Sequence, residues 1–218
     1  PSHKRVWASL TSDKDTFIND VKAEITRRDP EHQRTLVILT DGERALQQRV
    51  IKTFENVTLI LDLLHALDKL WKVAHVLHPE GSVEAEAFVR QRAERILCGM
   101  VSQVVKGLRQ TVTKRRLTGT KAKTIRGVAD YLYNNRGRMR YDHYLQNGWP
   151  IASGSVEGAC KNLIRDRFER SGMRWPTETA EALLRLRATH LSGDFNDYWE
   201  HHVAADQARL YLDRAARW

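Results

Sequence analysis

Two short apolar runs, each closed by an aspartate, constrain the fold of this chain more than any other feature. Residues 35–39 read Thr-Leu-Val-Ile-Leu and lead directly into Thr40, Asp41 and Gly42. Residues 56–61 read Asn-Val-Thr-Leu-Ile-Leu and lead into Asp62. Uninterrupted β-branched and aliphatic runs of this kind suit strands covered on both faces, because both sets of alternating side chains need apolar neighbours. Residues 43–54, between the runs, carry helical patterning. Strand, helix, strand in that order predicts a parallel α/β unit with Asp41 and Asp62 at the carboxyl ends of its strands. Upstream, Val6, Ala8 and Leu10 alternate with Trp7 and Ser9 and predict a further short strand over residues 4–10. That strand enters a helix over 13–28, which Asp29-Pro30 stops.

Beyond Asp62 the pattern changes to helical periodicity over residues 65–78, 83–113 and 123–134. In the longest stretch Phe88, Ile96, Met100, Val104, Val105 and Leu108 fall near one stripe, and Arg and Lys fill much of the remainder. Residues 141–155 read as a loop, with Asn147-Gly148, Pro150 and Ser153-Gly154-Ser155, delivering the chain into a helix near Val156. Trp175-Pro176 ends that region, and helices over 177–190 and 195–214 close the chain. The economical division is an α/β core segment over 1–64, a helical insertion over 65–147, a return to the core over 148–192 and a C-terminal helix over 193–218.

A formal net charge of +9 over 218 residues favours a polyanionic partner, since each Lys or Arg seated on a phosphate releases a counterion. Charge alone leaves nucleic acid, anionic lipid and a merely basic soluble protein open. No apolar run approaches the roughly 20 residues that a bilayer requires, which leaves a membrane reading without an anchor. Cys98 and Cys160 are the only cysteines and form no C-x-x-C pair. A disulfide framework or thiolate metal site is thus not suggested, and a reducing cytosol is the expected compartment. The chain begins at Pro1 rather than Met, which points to a segment upstream.

Asp41 is the first candidate for chemistry, because open α/β sheets bind ligands at the carboxyl ends of their strands. Asp-Gly after a strand is also ordinary turn chemistry. Glu157, in the first turn of the helix after the Gly-rich loop, is the second. A carboxylate there also suits the helix dipole, and Lys161 is an i,i+4 partner. Lys161, Arg165, Arg167, Arg170 and Arg174 crowd the same segment, and a carboxylate followed by phosphate-binding cations suits work on a nucleic-acid backbone. Asp62 and His65 lie one helical turn apart and read either as a helix cap with a satisfied histidine or as support beside the site. His201 and His202 read as surface residues, and nothing near His75 and His78 completes a zinc tetrahedron.

The string from Gly148 to Lys161, Gly-Trp-Pro-Ile-Ala-Ser-Gly-Ser-Val-Glu-Gly-Ala-Cys-Lys, continued by Arg167 and by Ser171-Gly-Met-Arg-Trp175, resembles the C-terminal signature of the ISKra family of bacterial insertion-sequence transposases. Leu39-Thr-Asp41-Gly42 and Asp62-Leu-Leu-His65 resemble that family's second catalytic Asp and its Asp-x-x-His element, and the match runs from about Lys4 to Trp199. The resemblance implies a DDE-type enzyme with an RNase H-like core and a helical insertion, whose carboxylates hold Mg2+ or Mn2+ for DNA strand cleavage and transfer. Asp41 and Glu157 would be metal ligands. Lys161, Arg165, Arg167 and Arg174 would meet DNA, while Asp62, His65 and Trp175 would support the site. Insertion-sequence ends and target DNA would be the partners, with a homo-oligomer on DNA as the working form. The family's first Asp belongs on a strand before Val6, where this sequence has none, so the chain is expected to bind DNA without cutting it. The alternatives are a non-catalytic DNA-binding remnant, a stand-alone nuclease of the same fold, and a helical module that binds nucleic acid through charge.

Overall fold

The computed structural model describes residues 3–165, 168, 169 and 173–212, and the side chains among these except those of residues 155–157 and 212. The chain divides into two compact units, one of residues 18–153 and one of residues 1–17 with 154–218.

The 18–153 unit contains strands β1 (Val37–Thr40) and β2 (Thr58–Leu61), joined through α2 (Arg44–Thr53) and paired in parallel with Val37 opposite Thr58 and Thr40 opposite Leu61. Alternation sends the two sets of side chains to different cores. Leu59 and Ile38 pack with Val50 and Phe54 of α2 and with Ile18, Val21 and Ile25 of α1 (Lys14–Arg28), which enters from the other unit. Ile60, Val37 and Leu39 face the opposite way, into a larger cluster built by α3 (Leu63–Leu77), α4 (Val83–Leu97), α5 (Val101–Lys114) and α6 (Gly119–Asn135). Leu70, Ile96, Leu108, Ile125 and Leu132 in that cluster are fully buried. Coverage on both faces is why the strand sequences are apolar without interruption.

The predicted α/β fold with a partial RNase H-like core is corrected here. The described residues are mostly helical, with one sheet of two short parallel strands and no RNase H-like sheet. The helices after β2 hold the larger core themselves, and one face of the sheet packs against it. Residues 4–10, predicted as a strand, form none. Their backbone groups instead find side chains within their own unit: Val6 N–H donates to Ser192 Oγ at 3.0 Å and Leu10 N–H to Glu181 Oε2 at 2.7 Å. A donor satisfied in this way has no need of a neighbouring strand.

The helix predicted over 83–113 is two helices. Gly99 adopts φ 75° between α4 and α5, and a Cβ there would stand 2.9 Å from a carboxylate oxygen of Asp142. Both facts demand glycine, and the N–H of Met100 closes the α4 terminus by donating to the Arg95 carbonyl at 2.8 Å. Part of the predicted loop over 141–155 is α7 (Tyr141–Gln146).

In the other unit, α8 (Gly154–Cys160) continues as a π-helical turn over Lys161–Arg165, followed after an interval by α9 (Thr177–Ser192) and α10 (Phe195–Gln207). Its core is small: Val6, Leu163, Leu184 and Ala188, with Ala159, Ile164 and Phe168 against them. No residue of α10 is buried. Among the described residues no helix is long and apolar enough to cross a membrane.

Candidate nucleic-acid interface

The carboxyl end of the sheet gathers polar groups in a small space. The Asp62 N–H extends the ladder to the Thr40 carbonyl at 2.9 Å, so Asp41 and Asp62 follow each other across adjacent strand ends. Their environments differ. Asp62 is 2% exposed, and both of its carboxylate oxygens are engaged. Oδ1 accepts the Leu64 N–H at 2.8 Å, capping α3, while Oδ2 accepts the Ser153 N–H at 2.9 Å and the Ser153 hydroxyl. The Leu63 N–H donates to the Ile151 carbonyl at 2.9 Å, so the loop before α8 is tied to the start of α3. His65 is half-buried in the first turn of that helix.

Asp41 is exposed. Its Oδ1 accepts the Glu43 N–H at 2.9 Å and its carbonyl accepts the Tyr131 hydroxyl at 3.0 Å. Gly42, at φ 90°, lies under Tyr131 so closely that a Cβ would meet the phenol oxygen and would stand 2.9 Å from Leu61 Cδ1. Burial, reinforced by the Asp41 and Asp62 charges, pushes the Tyr131 phenol up to about 12. It therefore remains a hydrogen-bond donor at any ordinary pH. The buried Tyr141 phenol is pushed up for the same first reason and donates to the Leu61 carbonyl at 2.8 Å.

Glu157 lies on α8, with its side chain outside the described residues, and it belongs to a different unit from Asp41. Lys161 and Arg165 are exposed on the π-helical turn, whose spacing is wider than α-helical i,i+4. Arg165 lies 3.9 Å from Glu169. Arg174 is exposed, and Arg167 lies outside the described residues. Trp175 packs against Phe168 with ring centroids 5.7 Å apart, and its buried indole N–H meets no acceptor among the described residues.

The described residues do not assemble a site for Mg2+ or Mn2+. No group of three His, Cys, Asp or Glu among them converges, and both Asp62 oxygens accept hydrogen bonds from N–H and O–H donors.

The densest chemistry lies elsewhere. Residues 101–140 hold eleven Lys and Arg against one acid, Asp130, whereas the rest of the chain holds 25 cations and 26 acids. The whole positive surplus therefore belongs to α5, α6 and the turn after them. Lys106, Arg109, Lys114, Arg115 and Arg116 lie on α5 and its end, Lys121, Lys123 and Arg126 on α6, and Arg136, Arg138 and Arg140 beyond it. All but the half-buried Arg138 are exposed.

The two helices are joined by a short turn and bridged by the 2.8 Å pair of Arg109 with Asp130, and two separate hollows open on them, one lined by Lys106, Arg109 and Tyr133 and the other by Lys123, Arg126 and Asp130. Val104, Val105, Leu108 and Val112 on α5, with Ile125, Val128 and Leu132 on α6, anchor the opposite faces in the core. The basic face is thus mounted on packed helices. Arg116 adds a sharper clue. It occupies the position just past α5 at φ 48°, where glycine is the least strained residue, and the helix there closes with Leu117 N–H donating to the Val112 carbonyl at 3.0 Å.

The signal for this surface was available without coordinates, as a local charge sum along the chain rather than a global one. Comparison with protein-family models, with curated proteins and with solved structures finds no match to this chain in any of the three.

Proposed function

We propose that this protein binds nucleic acid through the basic face of α5 and α6, in the manner of a helical module that recognises the phosphate backbone. The observation that carries the reading is the concentration of exposed cations in residues 101–140 with Asp130 as the sole acid. A surface of that kind is repelled by itself and attracted by a regularly spaced polyanion, and it binds with little dependence on sequence. Anisotropy titration of a labelled DNA duplex over a range of salt tests it. Affinity should fall steeply with salt, each seated phosphate contributing about −0.9 to the slope of log K against log salt. A salt-independent affinity, or none at low salt, would refute the assignment.

A second reading is favoured by Asp41: a part of a transposase acting on insertion-sequence DNA in the cytosol, assembled as an oligomer on that DNA. An exposed carboxylate on a glycine turn at the end of a parallel strand, in a basic chain, is what supports it. Its test is Mn2+ binding by calorimetry with and without DNA. Binding that Asp41→Asn abolishes keeps the reading, and wild-type protein that takes up no Mn2+ in either case removes it.

A further inference from the structure

Tyr133 is the exposed tyrosine of the 18–153 unit. Three other tyrosines of this unit put their hydroxyls on backbone carbonyls: Tyr131 on Asp41, Tyr141 on Leu61 and Tyr144 on Gly137. The Tyr133 hydroxyl has no such bond among the described residues, and the residue is 41% exposed. It lines a hollow together with Lys106, Arg109, Gln110 and Thr113 of α5. Two guanidinium groups lie over its ring, that of Arg136 at 4.0 Å from the centroid and that of Arg109 at 5.3 Å. Arg136 is itself fixed by donating to the Tyr133 carbonyl at 2.7 Å.

An exposed ring costs solvation and adds nothing to a surface that reads only phosphates. In a duplex the base faces are hidden by stacking, so the ring has no partner there. In a single strand each base offers a face, and an aromatic ring flanked by cations holds the base while the cations hold its phosphates. Both kinds of group are present here, Tyr133 in the last turn of α6, Arg136 just past its end, and Lys106 and Arg109 on α5.

We infer that Tyr133 is a stacking platform for an unpaired base, and that the hollow it lines on α5 takes single-stranded DNA with Lys106, Arg109 and Arg136 on the adjoining phosphates. The inference rests on the nucleic-acid reading given above and specifies its substrate. Arg109 is released for this by exchanging Asp130 for a phosphate. The Arg109–Asp130 pair is solvent-exposed on both sides and holds only weakly.

The test compares wild type, Tyr133→Phe and Tyr133→Ala on fluorescein-labelled oligo-dT of roughly ten nucleotides, a span typical of one single-strand site, and on a duplex of equal length. Tyr133→Ala should weaken oligo-dT binding by about tenfold, the loss of one base–aromatic stack, with the salt slope unchanged because no phosphate contact is lost. Duplex affinity should stay within about twofold, since the cations that meet the backbone remain. Tyr133→Phe should match wild type on both, because the hydroxyl takes no part. Equal losses on both ligands, or no loss on oligo-dT, would overturn the platform while leaving the backbone-binding assignment intact. Wild-type protein that binds neither ligand would overturn both.

Discussion

The α5–α6 hairpin and the α8–α10 region are both rich in arginine, yet they differ in how many acids stand among the cations. In the hairpin the cations are exposed, and Asp130 is the only acid among them. In the other region several of the described arginines bind their own unit. Arg185 pairs with Glu181 at 2.8 Å, Arg209 with Asp206 at 3.0 Å, and Arg187 donates to the carbonyls of Leu163 and Asn162. Arginine that binds its own chain has fewer donors left for a ligand. The helical foundations differ as well: α5 and α6 bury continuous apolar stripes, whereas α10 buries nothing. A count of Lys and Arg makes the regions look alike, and the partners of those residues separate them.

The largest expected effect tests the foundations. Leu132 is fully buried under the basic face and Leu184 is 2% exposed in the smaller core. Leu132→Ala should destabilise its unit by about 2–5 kcal/mol, by deletion of buried methyl groups plus the cavity left behind. Thermal unfolding followed by circular dichroism measures it. DNA binding should weaken with Leu132→Ala as that unit unfolds, and survive in Leu184→Ala. Equal effects on binding would dissolve the contrast between the two regions.

Next in size is the charge comparison itself. Lys123→Ala with Arg126→Ala should flatten the salt slope by about 1.8 and reduce duplex affinity by about fiftyfold at roughly 0.1 M salt, two phosphate contacts being lost. Lys161→Ala with Arg165→Ala, the change aimed at the segment following Glu157, should leave the slope nearly unaltered. Anisotropy titrations at four or more salt concentrations decide between them, and a larger effect from the second pair would transfer the interface to α8.

Arg116→Gly should separate stability from binding at a single residue. Relief of the left-handed backbone strain should stabilise the unit by about 1 kcal/mol, while the lost cation flattens the salt slope by up to about 0.9. Opposite signs in the melting temperature and the DNA titration are the expected result. A destabilised variant would mean that the guanidinium has a structural partner.

The smallest effect concerns Glu181, which is 7% exposed. The Leu10 N–H first, and then Arg185 and the Ser9 hydroxyl, hold its carboxyl below the usual glutamate range. The folded form therefore binds this proton less readily than the unfolded chain does. Its contribution is complete above the ordinary glutamate pKa and is lost as pH falls through the lowered one. Wild-type protein should lose more thermal stability than Glu181→Gln on acidification from neutral pH, and parallel losses would show that this carboxylate is not linked to folding.

The strand pair and its direction were legible because the runs at 35–39 and 56–61 are apolar on both alternating faces, which admits few other structures. The helices were legible from their periodicity, and Asp41 and Asp62 from their place after each run. What sequence left open was which of the two aspartates is committed. Asp62 is locked because Ser153, distant in sequence, brings its N–H and hydroxyl to one oxygen, and Asp41 is exposed, with no comparable partner among the described residues. Residues 4–10 alternate like a strand, yet Ser192 and Glu181 satisfy their backbone from across the chain. Local pattern fixes which groups need burial or a partner. Only the tertiary structure decides which partners reach them, because those partners come from segments whose proximity no local pattern encodes. The basic face is the mixed case: its charge is written in residues 101–140, and the packing of α5 on α6 decides which of those cations line the same hollow.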